Sequence, residues 1–202
     1  KESFANTVSG VDLIVGARSG PLNLLLYSVF RVGDATANVS WESYQKIARH
    51  PDVAWTVPIS LGDSYRGFRV MGTTSDYFAH YRFAGSRALA FAAGKPFADL
   101  YDAVLGADVA RQLGLGLGAP LVIAHGVGNV SFANHDDQPF RVAGILERTG
   151  TPVDRTVHVG LEAITAIHVD WQGGTPAPRG ARLGPDAVRQ RDLTPDSITA
   201  FM

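Results

Sequence analysis

Apolar positions fall along this chain in short runs bounded by Gly, Pro, Asp or Ser, interrupted by a few stretches with helical spacing. Strand-length runs with breaker residues between them predict a mixed α+β domain rather than a helical bundle. In GVDLIVGARSG, residues 10–20, the run Leu13 to Val15 predicts a strand. LNLLLYSVFRV, which follows Pro21, reads as a second strand, with a helix of similar length as the alternative, because a Leu-rich run does not distinguish them. SWESYQKIARHPDV places Trp41, Tyr44, Ile47 and Ala48 at helical spacing, with Ser40 as N-cap and Pro51 as a stop. VAWTVPISL and YRGFRVMGTT are β-rich runs whose junction around Gly62 and Asp63 carries a hairpin signal. SDYFAHYRF then predicts a short helix capped by Ser75.

These elements give a first unit of βαββα character that ends near residue 84. The Ala- and Gly-rich stretch AGSRALAFAAGKPFADLY has no clear period and predicts a crossing between units. Beyond it, Ala103 to Leu105 predicts a strand, and Asp108 starts or caps a helix with Val109, Ala110 and Leu113 on one face. LVIA and FRVAGIL predict further strands, separated by the polar turn FANHDDQPF, and TVHVGLEAITAIH runs from a strand into a helix near Leu161. Residues 172–195 are rich in Gly, Pro and Arg and read as a loop before a final β run. That last run is too short to stand alone, so it is expected to return to the first unit. The predicted fold is α+β with mainly antiparallel pairing, in two lobes: residues 1–84 with 192–202, and an inserted lobe over 85–191.

The stretch GLGLGA, from Gly114 to Ala119, satisfies the pattern of a dinucleotide-binding loop in its spacing. A phosphate cradle needs a strand before the glycines and a helix after them, so that helix N-terminal amides point at the anion. Here a helix precedes the glycines and a strand follows, which predicts a helix stop with Gly114 in the left-handed conformation.

Eighteen Lys and Arg against nineteen Asp and Glu give a net charge of −1, without runs of like charge, so the basic footprint of a nucleic-acid partner is absent. The chain has no cysteine, which excludes disulfides and thiolate chemistry. No apolar stretch is long enough to span a bilayer. The chain opens at Lys1 and closes on SITAFM, and both ends read as cuts from a longer protein.

Six histidines stand at positions 50, 80, 125, 135, 158 and 168 without a helical metal motif. His125, His135, Asp136, His158 and His168 form a candidate scattered metal site if the strands of the second unit bring them together. Ser19 and Ser64 lack the strand–turn–helix setting of a nucleophile elbow. The pairs Asp136 with Asp137 and Asp99 with Asp102 lie in polar loops without the apolar setting that separates carboxylate pKa values. Little chemistry is concentrated anywhere, which favours a binding or mechanical module over an enzyme.

The ordered set GKPFADLYDAVLGADVARQLGLGLGAPLVIA, FRVAGIL and GTPVDRTVHVGLEAI resembles the extracytoplasmic (periplasmic core) domain of MacB/FtsX/LolC-type ABC transporter permeases. VDLIVGARSGPLNLLLYSVF and PDVAWTVPISLGDSYRGFRVMGTT resemble the membrane-proximal lobe of the same domain. The resemblance implies a porter-like lobe next to the membrane and an inserted, mainly β, Sabre-like lobe, lying between the first two transmembrane helices of a permease. It also implies a place on the periplasmic face of the bacterial inner membrane, with motion from a cytoplasmic ATPase moving or releasing a lipoprotein, peptide or small molecule. No cofactor is expected in this domain, since ATP would bind a separate cytoplasmic subunit or domain. Expected partners are the ATP-binding subunit, a second permease copy or homologue, and a periplasmic adaptor or lipoprotein. Two alternatives stand beside this reading. One is a periplasmic zinc-binding protein or metallohydrolase using the histidines above. The other is an interaction module docking a lipoprotein or adaptor through exposed hairpin residues Tyr65 and Phe68.

Overall fold

The computed structural model describes residues 6–125, 133–134, 139–170 and 182–202. Its strands are β1 (Val15–Gly16), β2 (Val39–Ser40), β3 (Pro58–Tyr65), β4 (Phe68–Thr73), β5 (Arg82–Phe83), β6 (Arg87–Ala88), β7 (Phe91–Gly94) and β8 (Asp102–Leu105). They continue as β9 (Pro120–Leu121), β10 (Ala124–His125), β11 (Ala133–Asn134), β12 (Phe140–Leu146), β13 (Thr156–Gly160), β14 (Ser197–Ile198) and β15 (Ala200–Phe201). The helices are α1 (Pro21–Ser28), α2 (Trp41–Ala48), α3 (Asp76–His80), α4 (Ala107–Leu113), α5 (Leu161–His168) and α6 (Pro185–Val188).

One sheet organises these elements, in the order β1-β15-β3-β4-β13-β8-β12-β7, with β9 beside β12 and β10 beside β3. The β4–β13 and β8–β12 pairs are parallel and the other pairs along this order are antiparallel, so the α+β class holds with a mixed sheet. The final β run returns to the start of the chain: Phe201 lies opposite Val15, Ala200 opposite Ile59, and Ser197 opposite Ser40.

Period-two alternation sorts the central strands onto two faces. Val70, Ala103, Leu105, Val157 and Val159 join one buried cluster, which is covered by Ala163, Ala166 and Ile167 of α5. Met71 and Val104 join the other, with Tyr77 and Phe78 of α3. Ile59, Met71 and Leu105 are fully buried, an effect worth roughly 1.5–3 kcal/mol for each such side chain. Each cluster draws residues from both 1–84 and 85–191.

Several local expectations are corrected. LNLLLYS is the helix α1 rather than a strand: Pro21 occupies its first turn, and no β-branched residue occurs before Val29. The hairpin turn falls at Arg66–Gly67, where φ values of 46° and 83° give the two left-handed central residues of a tight hairpin. Gly62 instead lies inside β3, where the register shifts between Leu61 and Asp63. At this bulge β3 exchanges its outer neighbour, from β15 at Ile59 to β10 at Asp63. The presumed crossing stretch contains β7, which pairs with β12 at the end of the sheet. Within 172–195, residues 185–188 form α6.

Other expectations match. Ser40 caps α2, its side chain accepting from the Ser43 amide at 3.2 Å. The strand-to-helix passage from β13 into α5 begins at Leu161, as the sequence indicates.

α5 lies close over β4 because position 72 has no side chain. A Cβ added at Gly72 would run into Ile164 Cγ1 of α5. Gly72→Ala should therefore destabilise the chain by about 1–3 kcal/mol in urea denaturation. Ile164→Ala in the same background should recover part of that loss, and equal destabilisation with and without Ile164 would contradict the close approach.

Candidate functional site

The functional geometry starts at the seam where the two halves of the sequence meet. β4 belongs to the first unit and β13 to the second, and they pair in parallel from Thr156 opposite Arg69 to Gly160 opposite Thr73. Thr73 is fully buried there, and its hydroxyl donates to the Pro58 carbonyl at 2.7 Å, tying β4 back to β3. β13 leads directly into α5, which crosses back over β3 and β4. A polar contact locks this return. His168 Nε2 lies 3.5 Å from Asp63 Oδ1, while its Nδ1 lies 2.8 Å from the Ile164 carbonyl one helical turn earlier. A carbonyl can only accept, so Nδ1 carries a proton, and a proton on Nε2 makes the ring an imidazolium facing the carboxylate. Burial lowers the His168 pKa, but the Asp63 carboxylate and the Ile164 carbonyl outweigh it and raise the value above the ordinary 6.5.

His158 is the opposite case on the opposite face. It is fully buried in β13, with its ring centroid 5.3 Å from Tyr77 and 5.9 Å from Phe78. Nδ1 donates to the Val104 carbonyl at 3.1 Å, so Nε2 is the bare nitrogen of the neutral ring, and among the described residues no hydrogen bond is formed to it. Burial depresses the pKa to about 3; the Val104 carbonyl opposes that shift and the Arg31 charge adds to it.

Of the candidate metal residues, the two whose side chains are described, His158 and His168, do not converge. His158 lies on the α3 side of the sheet and His168 on the α5 side. Only the backbone of His125 enters the description, opposite Asp63 in β10, and His135 and Asp136 lie outside the described residues. Among the described residues no three potential metal ligands gather. Tyr65 and Phe68, expected to be exposed, are each only 6% exposed and belong to the main core, because the turn sits between them and folds both rings inward. Ser64 is buried, and Ser19 Oγ lies 3.4 Å from the Tyr27 hydroxyl. Asp99 is held by Arg189 at 2.7 Å, and Asp102 accepts from the Ala98 and Asp99 amides. Asp137 lies outside the described residues.

The glycine stretch has the inverted order. Gly114 ends α4 with φ 63° and ψ 34°, and β9 follows. Four of its six amides are engaged: Gly114 and Leu115 donate to the Ala110 carbonyl, Gly118 to Val142 and Ala119 to Gly116. Helix carbonyls, not free amides, face this turn, which is the wrong polarity for a pyrophosphate.

Sequence reading overlooked Asp63 and Gly72. A carboxylate inside an apolar β run is the signal for Asp63, and a lone Gly in a strand marks close approach for Gly72.

The two histidines give opposite pH dependences. His158 stays neutral in the fold while the unfolded chain takes up a proton below 6.5, so stability falls as pH drops from 6.5 toward 3, by about 1.4 kcal/mol per pH unit. His168 holds its proton more tightly when folded, so its contribution is complete below 6.5 and is lost as pH rises through the raised value. In denaturation across this range, His158→Phe should flatten the acid limb relative to the parent, and His168→Gln should flatten the limb above 6.5. Parallel profiles for parent and variants would contradict the assignments.

Comparison with known proteins places the chain. Residues 2–177 match the family described as the MacB-like periplasmic core domain. No curated protein matches the sequence. Among solved structures, the extracellular domain of the noncanonic ABC-type transporter YknZ from Gram-positive bacteria is similar, with 13% identity over 82% of this chain and 72% of that one, at a TM-score of 0.46. The periplasmic region of MacB from Actinobacillus actinomycetemcomitans is similar at 11% identity, with a TM-score of 0.47. That match covers 81% of this chain but only 63% of the MacB region. With its family match extending over most of its length, this chain belongs to the MacB-like periplasmic core domain family.

Proposed function

We propose that this domain carries motion from an ABC transporter's ATPase, through the membrane part of the permease, to a substrate or partner outside the membrane. The observation that supports this reading is the continuous sheet from β1 and β15, beside each other at one edge, to β12 and β7 at the other. A displacement applied at β1 and β15 reaches the far edge only by moving hydrogen-bonded strands together, because two packed clusters clamp the faces. In this reading residues 1–84 with 192–202 form the membrane-proximal unit, and 85–191 form the inserted unit that meets the substrate. The partners are an ATP-binding subunit, a second permease copy or homologue, and a lipoprotein or adaptor. ATP binds elsewhere in the transporter, and the domain faces the periplasm from the inner membrane.

The absence of cysteine from this chain lets introduced thiols report its motion. Lys46 of α2 and Gln112 of α4 are exposed and lie one in each unit. In the full transporter, spin labels at Lys46→Cys and Gln112→Cys should keep a constant separation within one chain between nucleotide-free and ATP-bound states. The separation between the Gln112→Cys labels of two copies should change. A change within the chain and none between copies would reject transmission by a single moving body.

A further inference from the structure

Four arginines converge on one cleft although they are scattered through the sequence. Arg31, Arg69, Arg148 and Arg155 line a cavity of about 700 Å³ formed by the segment after α1, the β3–β4 turn, the start of α4 and the loop before β13. Two carboxylates also line it. Asp108 holds Arg111 at 2.8 Å, and the charges of Arg148 and Arg155 add to that partner in keeping its carboxyl below the ordinary carboxylate value. Asp154 is 2% exposed and folds its own loop, its Oδ1 accepting from the Thr149 amide at 2.7 Å and hydroxyl at 2.8 Å, and its Oδ2 from the Gly150 amide at 2.7 Å. Of the four guanidinium groups only Arg69 has a carboxylate partner within ion-pair distance among the described residues, Asp34 at 2.7 Å.

Arg31 is the most demanding of the group. Its Nε and Nη1 atoms are buried, and its guanidinium interacts with the Tyr77 hydroxyl and the His158 ring on the α3 side of the sheet. Its backbone is held at φ 60°, a conformation that non-glycine residues rarely adopt. Arg148 and Arg155 are exposed at the mouth, and the Arg155 guanidinium is steadied 5.1 Å above the Phe68 ring. The guanidinium groups of Arg69, Arg148 and Arg155 thus outnumber the Asp34 and Asp108 carboxylates close to them at one concave surface, on a chain whose net charge is −1.

We infer that this cleft binds a phosphate group carried on a larger molecule, with Arg148 and Arg155 gripping the phosphate oxygens at the mouth. Several planar forks around one cleft suit an anion with three or more acceptor oxygens better than a single carboxylate, which offers two. The cavity exceeds the size of a phosphate alone, so part of the carrier enters with it. The site stands on the cleft itself, and its failure would leave the transmission reading untouched.

Glycerol 3-phosphate represents a soluble phosphate ester, and vesicles of phosphatidic acid in phosphatidylcholine represent the same chemistry on a lipid headgroup. At fixed ionic strength, one or both should bind saturably, raising the Tm in the soluble case and co-sedimenting the chain in the vesicle case. The double variant Arg148→Gln/Arg155→Gln should lose at least about tenfold in affinity while its ligand-free Tm stays at the parent value. Arg87→Gln, at an exposed arginine outside the cleft, should bind like the parent. Arginine-dependent binding of the ester alone identifies a soluble ligand, and arginine-dependent binding of vesicles identifies a headgroup. Absence of saturable binding to both probes, or equal binding by the parent and the double variant, overturns the proposal.

Discussion

The parallel pairing of β4 with β13 is the joint on which the rest of the molecule depends. Residues 68–73 and 156–160 come from distant parts of the chain, and closing the loop between them has an entropic cost before any contact forms. That cost is offset on both faces at once. Val70, Val157 and Val159 pack under α5 on one side, while Met71 and His158 lie under the rings of α3 on the other. A strand that slipped by one residue would exchange these faces, placing His158 in the α5 cluster and the valines against Tyr77. The register is therefore set by packing, and the continuity of the sheet follows from the register.

Two polar groups lock this joint from opposite sides. The half-buried His168 meets the buried Asp63 carboxylate and ties the end of α5 to the bulged strand β3. His158 is kept neutral in an aromatic setting and spends its one donor on a carbonyl of β8. Both fix which strands lie next to one another, the property that the proposed transmission of displacement requires.

Much of this was legible in the sequence, and the exceptions have physical causes. The Ser40 cap, the Gly114 stop, the strand from Phe140 to Leu146 and the β13-to-α5 passage follow from local spacing and backbone preference, so the sequence carries them directly. α1 was ambiguous because an apolar run without period fits either a strand or a helix, and the tie is broken by Pro21 and the delayed β-branched residues. The exposure of Tyr65 and Phe68 was misjudged because the hairpin signal was placed at Gly62 instead of Gly67. Moving the turn changes which residues sit at the tip and which sit under the sheet. The arginine cleft was invisible for a different reason: its members span positions 31 to 155 with no local run of charge, and only tertiary folding gathers them.

In the proposed mechanism the two sequence units move as one body because the β4–β13 seam is as strong as the strands it joins. Native-state hydrogen exchange measures this directly. Hydrogen-bonded amides within residues 68–73 and 156–160 should exchange only through the same global opening as those within 58–65 and 140–146, with matching free energies and denaturant dependence. A separate opening of lower free energy, one that exposes the seam while β3 and β12 stay protected, would contradict the account.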